Sequence, residues 1–439
     1  MLQTLRNAWK IPDLRRRILF TLMMLIIFRF GSYLPVPFLS ADAMKQFLGN
    51  GGTDLFSLFD VFTGGAFSNA SVMAMGVSPY INASIIVQLL TVAIPSLERL
   101  AKEGVEGRKK INKITRYLGI ALAFVQAAGL YVTLFNMGGA IKEPGVLAFF
   151  VISLTFTAGT AFIIWLGELI TEKGLGNGVS LIIFAGIVSR IPTAVYTVYN
   201  EALSGGVTAK GLIFVAAVVV VAIAAITFVV FFSDAERRIP VQYAKRVVGR
   251  KMYGGQSTNI PIKVAAGGVM PIIFASSIMA FPATIVRLLT GGQMPTEGLG
   301  HYILGCLSAG FSQAWWTSVV YAVIYALLIL FFTYFYSSIQ FNPIELANNM
   351  KKSGGYIPGI RPGKPTSDYI GKISSRLNLV GAFFLAVIAI MPVIVGAIFG
   401  INSLQIGGTS LLIMEGVALE TVRQIESQMT MRHYKGFLE

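Results

Sequence analysis

Apolar and polar residues alternate along this chain in long blocks, and the apolar blocks carry few charges. An apolar segment of about 20 residues is long enough to cross the hydrocarbon core of a bilayer as one helix. Charged or glycine-rich connections separate such segments along the whole chain. The pattern predicts ten membrane spans, some of them weakly apolar, at residues 18–34, 75–94, 117–134, 148–167, 179–198, 211–232, 265–289, 315–338, 377–399 and 409–422.

The composition supports a membrane protein and excludes a secreted, disordered or fibrous chain. Of the 439 residues, 55% are apolar and 13% are charged, and the mean hydropathy is +0.71. In soluble domains about a quarter of all residues are charged. Cys306 is the single cysteine, so no internal disulfide can form. We therefore expect an all-α polytopic membrane protein.

The distribution of positive charge predicts the orientation of the spans. The chain has 35 lysines and arginines against 20 acidic residues, which gives a net charge of +15. Connections rich in lysine and arginine stay on the cytoplasmic side of a membrane. Most of these residues lie in the N-terminal arm and in connections two, six and eight, at residues 1–17, 95–116, 233–264 and 339–376. We therefore expect both ends of the chain, including the tail 429–439, to be cytoplasmic.

Two of the apolar segments contain residues that interrupt a helix. The segment 55–78 contains Asp60 and several glycines, and span seven contains two glycines and two prolines. Non-helical backbone is tolerated at membrane depth only where it is buried in protein or lines a watery cavity. We therefore predict a short re-entrant segment before span two, and an ordinary external loop is the alternative.

The two interruptions occupy matching places in the two halves of the chain. Ten spans divide into two sets of five, at residues 18–200 and 201–428, and each interruption belongs to the second span of its half. Interrupted helices at matching places indicate an inverted repeat with a functional site between the halves. We therefore expect a cavity flanked by spans two and seven.

The expected lining of this cavity is apolar, because ionisable residues are nearly absent from the middle of the spans. Its β-branched candidates are Val77, Ile81, Ile85, Val179, Ile183 and Ile273. A transporter for ions or solutes usually places ionisable side chains in its path. The scarcity of such side chains favours a passive conduit. An ion- or proton-coupled secondary transporter is the first alternative, and a membrane scaffold without a conduit is the second.

A few ionisable residues do lie within spans. Arg29, Arg190 and Arg287 fall in the outer parts of spans one, five and seven, and we expect their long side chains to reach the membrane surface rather than to bind a substrate. Glu415 lies in the last span and is the best candidate for the carboxylate of a transporter. We favour an interhelical partner or a shallow position for it.

The sequence indicates neither an enzyme nor a metal or cofactor site. Neither His301 nor His433 lies near a carboxylate or cysteine with metal-ligand spacing. The glycine-rich turn EKGLGNG after span four follows no strand and lacks the Lys-Ser/Thr pair of a phosphate-binding loop. We expect no catalytic residue, no metal and no cofactor.

Connections six and eight are longer and more basic than orientation in a membrane requires. They contain RRIPVQYAKRVVGRKMYGGQSTNIPIK and MKKSGGYIPGIRPGKPTSDYIGK. Binding to phosphate groups requires a high density of lysine and arginine residues and no fixed order of them in the sequence. We therefore expect short hairpins that bind ribosomal RNA or an acidic protein groove, and a role in orientation alone is the alternative.

Several segments of the chain resemble the SecY family of protein-translocation channels. They include FTGGAFSNASVMAMGVSPYINASIIVQLL, WLGELITEKGLGNGVSLIIFAGIV, RRIPVQYAKR, MPIIFASSIMAFPATI and FNPIELANNMKKSGGYIPGIRPG. The resemblance runs from Arg15 to about Gln428. It implies ten transmembrane helices in two inverted five-helix halves around a central pore, with a short re-entrant plug and a lateral opening between helices two and seven.

The resemblance also implies an activity and partners. It implies a passive channel that passes unfolded secretory polypeptides across the bacterial cytoplasmic membrane and releases membrane segments laterally into lipid. The implied source of energy is the motor ATPase SecA or the ribosome. The other implied partners are the subunits SecE and SecG, signal-sequence-bearing preproteins, and membrane lipids, including anionic lipids.

Four sets of functional residues follow from the resemblance. The pore ring corresponds to Val77, Ile81, Val179, Ile183, Ile273 and Ile413. The plug corresponds to about 55–71, with Leu55, Phe59, Phe62, Gly64, Gly65 and Phe67. The lateral gate corresponds to Asn82, Ile85, Gln88, Ser277, Ile278 and Phe281. The binding site for SecA or the ribosome corresponds to Arg361, Arg246, Arg250, Lys245 and Lys251.

Overall fold

The computed structural model of the chain describes residues 2–49, 60–137, 139–203, 209–243, 246–248, 251–253, 257–264, 267–289, 299–307, 315–399 and 408–435. Within these ranges the chain is largely helical. The helices, in chain order, are α1 (Leu2–Lys10), α2 (Pro12–Gly31), α3 (Ala41–Gly49), α4 (Ser78–Ala93), α5 (Pro95–Lys102), α6 (Val105–Met137), α7 (Val146–Lys173), α8 (Gly178–Leu203), α9 (Ala209–Ser233), α10 (Met270–Leu289), α11 (Leu299–Leu307), α12 (Trp315–Gln340), α13 (Pro343–Lys352), α14 (Lys364–Phe399) and α15 (Gly408–Lys435).

Each of the ten predicted spans coincides with a helix, because a helix satisfies the backbone polar groups of an apolar segment internally. Spans one to ten correspond in order to α2, α4, α6, α7, α8, α9, α10, α12, α14 and α15. By length and composition, four helical segments of the described residues could cross a membrane. The helices α4 and α5, bent by 102° at their junction, would add a fifth. The ten-span arrangement stays a prediction.

The described residues of connections six and eight include five strands. They are β1 (Glu236–Tyr243), β2 (Arg246–Val248), β3 (Lys251–Tyr253), β4 (Ser257–Lys263) and β5 (Gly355–Tyr356). The strand β1 pairs antiparallel with β4 on one side and with β5 on the other. The strands β2 and β3 form a separate two-stranded sheet.

The pairing of β1 with β5 joins the two connections into one unit. Tyr356 of β5 lies opposite Gln242 of β1, and its hydroxyl donates to the side-chain carbonyl of Gln242 at 3.1 Å. Apolar residues from β1, β4, α13, α14 and the turn after β5 share one buried core, which comprises Ile239, Val241, Ile262, Met350, Ile357 and Ile370. Connection six thus forms antiparallel pairs of strands, as expected, between β1 and β4 and between β2 and β3. The pairing of β1 with β5 across the two connections was not expected.

Residues 60–77 form the irregular segment that the sequence predicts before span two. After one helical turn at 60–62, the chain runs through turns to the start of α4. Gly64 and Gly65 have φ angles of +67° and +89°, which glycine adopts without steric cost. Most of the segment is buried. The prediction of irregular backbone buried in protein is confirmed here, whereas Leu55 and Phe59 lie outside the described residues.

The helices α4 and α10 begin with the same backbone pattern. The sequences GVSP and GVMP lead into them, and both glycines, Gly76 and Gly268, have a φ angle of +57°. Each helix then starts two residues after its glycine and carries proline in its first turn, where the missing N–H costs no intrahelical hydrogen bond. The matching interruptions are thus helix starts, and of the breakers predicted in span seven Pro282 alone lies beyond the first turn of α10.

Candidate functional site

The six residues predicted for a pore ring come together in one apolar cluster, here called the central cluster. Its ring residues are Val77, Ile183 and Ile413, which are buried, and Ile81, Val179 and Ile273, which are partly buried and pack against it. They come from the start of α4, from α8, from α10 and from α15. Elements from both halves of the chain therefore meet at this cluster.

The repeated entry into α4 and α10 places equivalent side chains in the central cluster. Ile81 and Ile273 each lie five residues after the glycine with positive φ. Val269 has the same relation to its glycine as Val77, and it also packs against the central cluster. Val269 was not among the residues predicted for the ring. The repeated Gly-Val-x-Pro pattern is the signal that could have found it.

A small cavity borders the central cluster. A cavity of about 10 Å³ is lined by Phe62, Val77, Ile81 and Ile183, among others. A cavity must offer roughly 10–15 Å³ to hold a single water molecule. This cavity is therefore too small for a hydrated ion.

The residues predicted for the plug divide between two parts of the interior. Phe62 packs against the central cluster, whereas Phe67 is fully buried in another cluster with residues of α3, α6 and α7. Gly64 approaches α8 closely, since a Cβ atom there would lie 2.4 Å from the Ser189 hydroxyl oxygen. Gly65 is buried as well. The segment thus packs into the protein on more than one side.

Two arginines that were expected to reach the membrane surface bind this segment instead. Arg29 in α2 donates through Nη1 to the Gly64 carbonyl at 2.6 Å. Arg190 in α8 pairs with the buried carboxylate of Asp60. The expectation is wrong for both arginines, because the buried turn holds acceptors that need polar partners. The side chain of Arg287 lies outside the described residues.

The helices α4 and α10 contribute to a second buried apolar cluster. Ile85, predicted for the lateral gate, is buried there together with Phe274 and Met279 of α10. Gln88, also predicted for the gate, accepts a hydrogen bond at 3.3 Å from the hydroxyl of Tyr336 in α12. The side chains that the two helices contribute to this cluster are apolar, and the polar contact of Gln88 reaches a third helix.

The other residues predicted for the gate have different environments. Asn82 and Ser277 are partly buried. Ile278 is 40% exposed, which places it at the outer surface of the described residues. The side chain of Phe281 lies outside the described residues. The structure therefore brings Ile85, but not Ile278, into the interior.

Arg361 lies in an exposed turn between β5 and α14. Gly359 and Gly363, on either side of it, have φ angles of +83° and +107°. The Arg361 carbonyl accepts a hydrogen bond from the Thr366 hydroxyl at 2.8 Å, which ties the turn to the first residues of α14. The guanidinium is thus presented outward on a constrained backbone, where its planar donors can bind carboxylates or carbonyls of a partner.

The remaining basic residues predicted for partner binding belong to the hairpin of connection six. Arg246 lies in β2 and Lys251 lies in β3. The structure describes the backbone of these two residues but not their side chains. Lys245 and Arg250 lie outside the described residues. The structure therefore places two of the four on the hairpin backbone without describing what they contact.

Glu415 has an interhelical partner, which is one of the two environments expected for it. Its Oε2 atom accepts a hydrogen bond at 2.9 Å from the hydroxyl of Ser233 at the end of α9. Close by, Asp234 pairs with Arg423 of α15 at 2.6 Å. These contacts join α9 to α15. Among the described residues, no three histidine, cysteine or acidic side chains lie together as a metal site would require.

Comparison with known proteins identifies relatives along the whole chain. A family model described as SecY matches residues 71–422. The protein translocase subunit SecY of Halalkalibacterium halodurans is 45% identical, and the match covers 100% of both chains. The protein of the same name from Thermotoga maritima is 45% identical over 100% of this chain and 98% of its own.

Solved structures share the fold. One, described as a protein conducting channel, superposes with a TM-score of 0.68 at 20% identity and covers 94% of this chain and 92% of its own. Another, described as Sec61 in a canine ribosome-channel complex, gives a TM-score of 0.64 at 19% identity with the same coverage. Because the family model matches well over half of the sequence and close relatives match all of it, the chain belongs to the SecY family.

Proposed function

We propose that the chain is a passive, gated channel that conducts unfolded secretory polypeptides across the bacterial cytoplasmic membrane and releases membrane segments laterally into lipid. The observation that carries the proposal is the central cluster, in which apolar residues from both halves of the chain close around a cavity of about 10 Å³. Membership of the SecY family supports the same conclusion.

An apolar constriction suits this task on physical grounds. A ring of branched aliphatic side chains offers an ion no replacement for its hydration shell, so it seals the pore while the pore is narrow. The same side chains can surround an extended polypeptide without binding any particular residue of it. Tolerance of many substrate sequences follows from that lack of specific contacts.

The proposed architecture has ten membrane spans in two halves, 18–200 and 201–428, with both chain ends in the cytoplasm. The plug is the segment at about 55–71, and the lateral opening lies between α4 and α10. The burial of residues 60–71 against the central cluster and its surroundings supports a plug at this place. The shared apolar cluster of Ile85 and α10 supports the position of the gate.

The energy for translocation comes, in this proposal, from partners that bind connections six and eight. SecA or the ribosome would engage the exposed turn of Arg361 and the basic hairpin that contains Arg246 and Lys251. A structural relative described as a ribosome-channel complex supports a ribosome as one of these partners. SecE and SecG would bind within the membrane. The chain itself would catalyse no reaction.

Crosslinking of a translocating chain tests the proposal. A stalled preprotein with a signal sequence is expected to crosslink to cysteines that replace Ile81 and Ile273, in a Cys306→Ser background. A cysteine that replaces Phe331, which is 58% exposed on α12, is the matched control and should not react. Absence of crosslinks at both central positions, or equal crosslinking at the control, would contradict the proposed path. Uptake of small solutes instead would favour the transporter.

Ring substitutions are expected to open an ion leak in the resting channel. Replacing Ile183 by serine removes a buried aliphatic side chain, whose burial contributes about 1.5–3 kcal/mol. Because that burial belongs to the closed pore, the ratio of closed to open channels should fall roughly tenfold or more. Deletion of 57–67 should act in the same direction.

Conductance of planar bilayers measures this leak. Val323→Ser, at a position of α12 that is 53% exposed, is the matched control and should conduct like the unmodified channel. Unchanged conductance in both the Ile183 variant and the deletion would show that neither the ring nor the plug seals the pore.

A further inference from the structure

We propose that four residues form a latch that holds the predicted plug closed and sets how hydrophobic a signal segment must be to open the channel. The latch consists of Asp60 and Gly64 in the irregular segment, Arg29 in α2 and Arg190 in α8. The proposal rests on the proposed function, because it concerns the opening threshold of the same channel.

The carboxylate of Asp60 organises the turn from the inside. The Asp60 side chain is 2% exposed, and the Arg190 side chain with which its Oδ2 atom pairs is 18% exposed. The Oδ1 atom accepts a hydrogen bond from the backbone N–H of Ser68 at 2.8 Å. The Asp60 carbonyl accepts another from the N–H of Gly65 at 2.8 Å. One carboxylate oxygen therefore closes the turn, and the other ties the turn to α8.

A second arginine binds the same turn from α2. Arg29 donates through Nη1 to the Gly64 carbonyl at 2.6 Å and through Nη2 to the Tyr33 hydroxyl at 2.9 Å. Gly64 has a φ angle of +67°, and a Cβ atom there would lie 2.9 Å from Nη1 of Arg29 and 2.4 Å from the Ser189 hydroxyl oxygen. The turn fits between α2 and α8 because this position has no side chain.

A buried ion pair resists separation differently from an apolar contact. While Asp60 and Arg190 are paired, their charges compensate each other. Moved apart inside the protein, each becomes a buried charge without this partner, which is strongly unfavourable. An apolar contact weakens gradually as its area is exposed. A plug held by this pair should therefore stay in place until the binding of a signal segment exceeds a threshold.

Hydrogen exchange measured by mass spectrometry on the full chain in lipid nanodiscs tests the latch. Asp60→Asn removes the counter-charge of Arg190, and Arg190→Met removes that of Asp60. Each variant is expected to speed exchange of the amides at 64–71 at least roughly tenfold. The double variant removes both charges, so its exchange should lie closer to that of the unmodified chain than either single variant does.

Two further variants make this test specific. Arg116→Met breaks an ion pair of 3.0 Å with Glu168, which joins α6 to α7 and does not involve the turn, so exchange at 64–71 should not change. Arg29→Gln removes the bond to the Gly64 carbonyl and should speed exchange of the same amides. It keeps the latch testable if a variant of Asp60 does not fold.

Export assays with signal segments of graded hydrophobicity test the consequence of the latch. The variants with faster exchange are expected to export preproteins whose signals are too weak for the unmodified channel. Arg116→Met should keep the threshold of the unmodified channel.

The possible outcomes separate the latch from the proposed function. Unchanged exchange in the single variants, or additive effects in the double variant, would overturn the latch. Faster exchange with an unchanged signal threshold would overturn its role in setting that threshold. Faster exchange in a protein that exports no preprotein, even unmodified and with its partners present, would leave the latch standing and contradict the proposed function.

Discussion

Replacing Arg361 by glutamate is expected to abolish SecA-driven translocation while membrane insertion and association with SecE continue. The side chain is exposed on a turn that Gly359, Gly363 and the bond from Thr366 constrain, so its donors face a partner. Loss of one member of a desolvated charged pair costs about 2–5 kcal/mol, which is a roughly thirtyfold or larger loss of affinity. ATP-dependent transport of a preprotein into proteoliposomes measures the effect.

Two further variants separate a role in coupling from a role in orientation. Arg361→Lys should be partly defective, because a point charge cannot copy the planar fork of a guanidinium. Lys352→Glu changes the charge of the same connection and leaves Arg361 in place, so its transport should be normal. Normal transport by Arg361→Glu would remove this residue from the coupling site. An inverted topology in protease mapping would show that its role is orientation.

A short crosslink between α4 and α10 is expected to block translocation completely. The cysteines would replace one of residues 82–84 and one of residues 278–281 in a Cys306→Ser background. A signal segment of about ten leucine-like residues is worth roughly 3–6 kcal/mol on the insertion scale. That is enough to shift a gate held closed by a few side-chain contacts but not one held by a covalent bond. Preprotein transport before and after release of the crosslink measures the block.

A long flexible crosslinker between the same cysteines is the control, and it should permit translocation. The packing around the predicted gate favours this result. Ile85 shares an apolar cluster with Phe274 and Met279 of α10, while the hydrogen bond of Gln88 goes to Tyr336 of α12. Transport that continues with the short crosslink in place would put the lateral exit in another part of the wall.

The positions of the helices that match the ten predicted spans, and the apolar nature of the central cluster, follow from the sequence by itself. A membrane span needs about 20 apolar residues in succession, which is a local property of the chain. Val179 and Ile183 lie four residues apart in α8, so they share a face of that helix whatever the rest of the fold does. Periodicity does not distinguish ring residues from other apolar positions, and for them the resemblance to the SecY family was needed.

Only the tertiary structure decided which distant groups meet. Asp60 and Arg190 are 130 residues apart, and in sequence an arginine near the end of an apolar helix is indistinguishable from one that reaches the membrane surface. The strands β1 and β5 likewise belong to different connections and pair across the fold. Hydrophobic periodicity determines which face of an element is buried but not which element it faces. The partner of a buried charge therefore becomes known only when the helices are packed together.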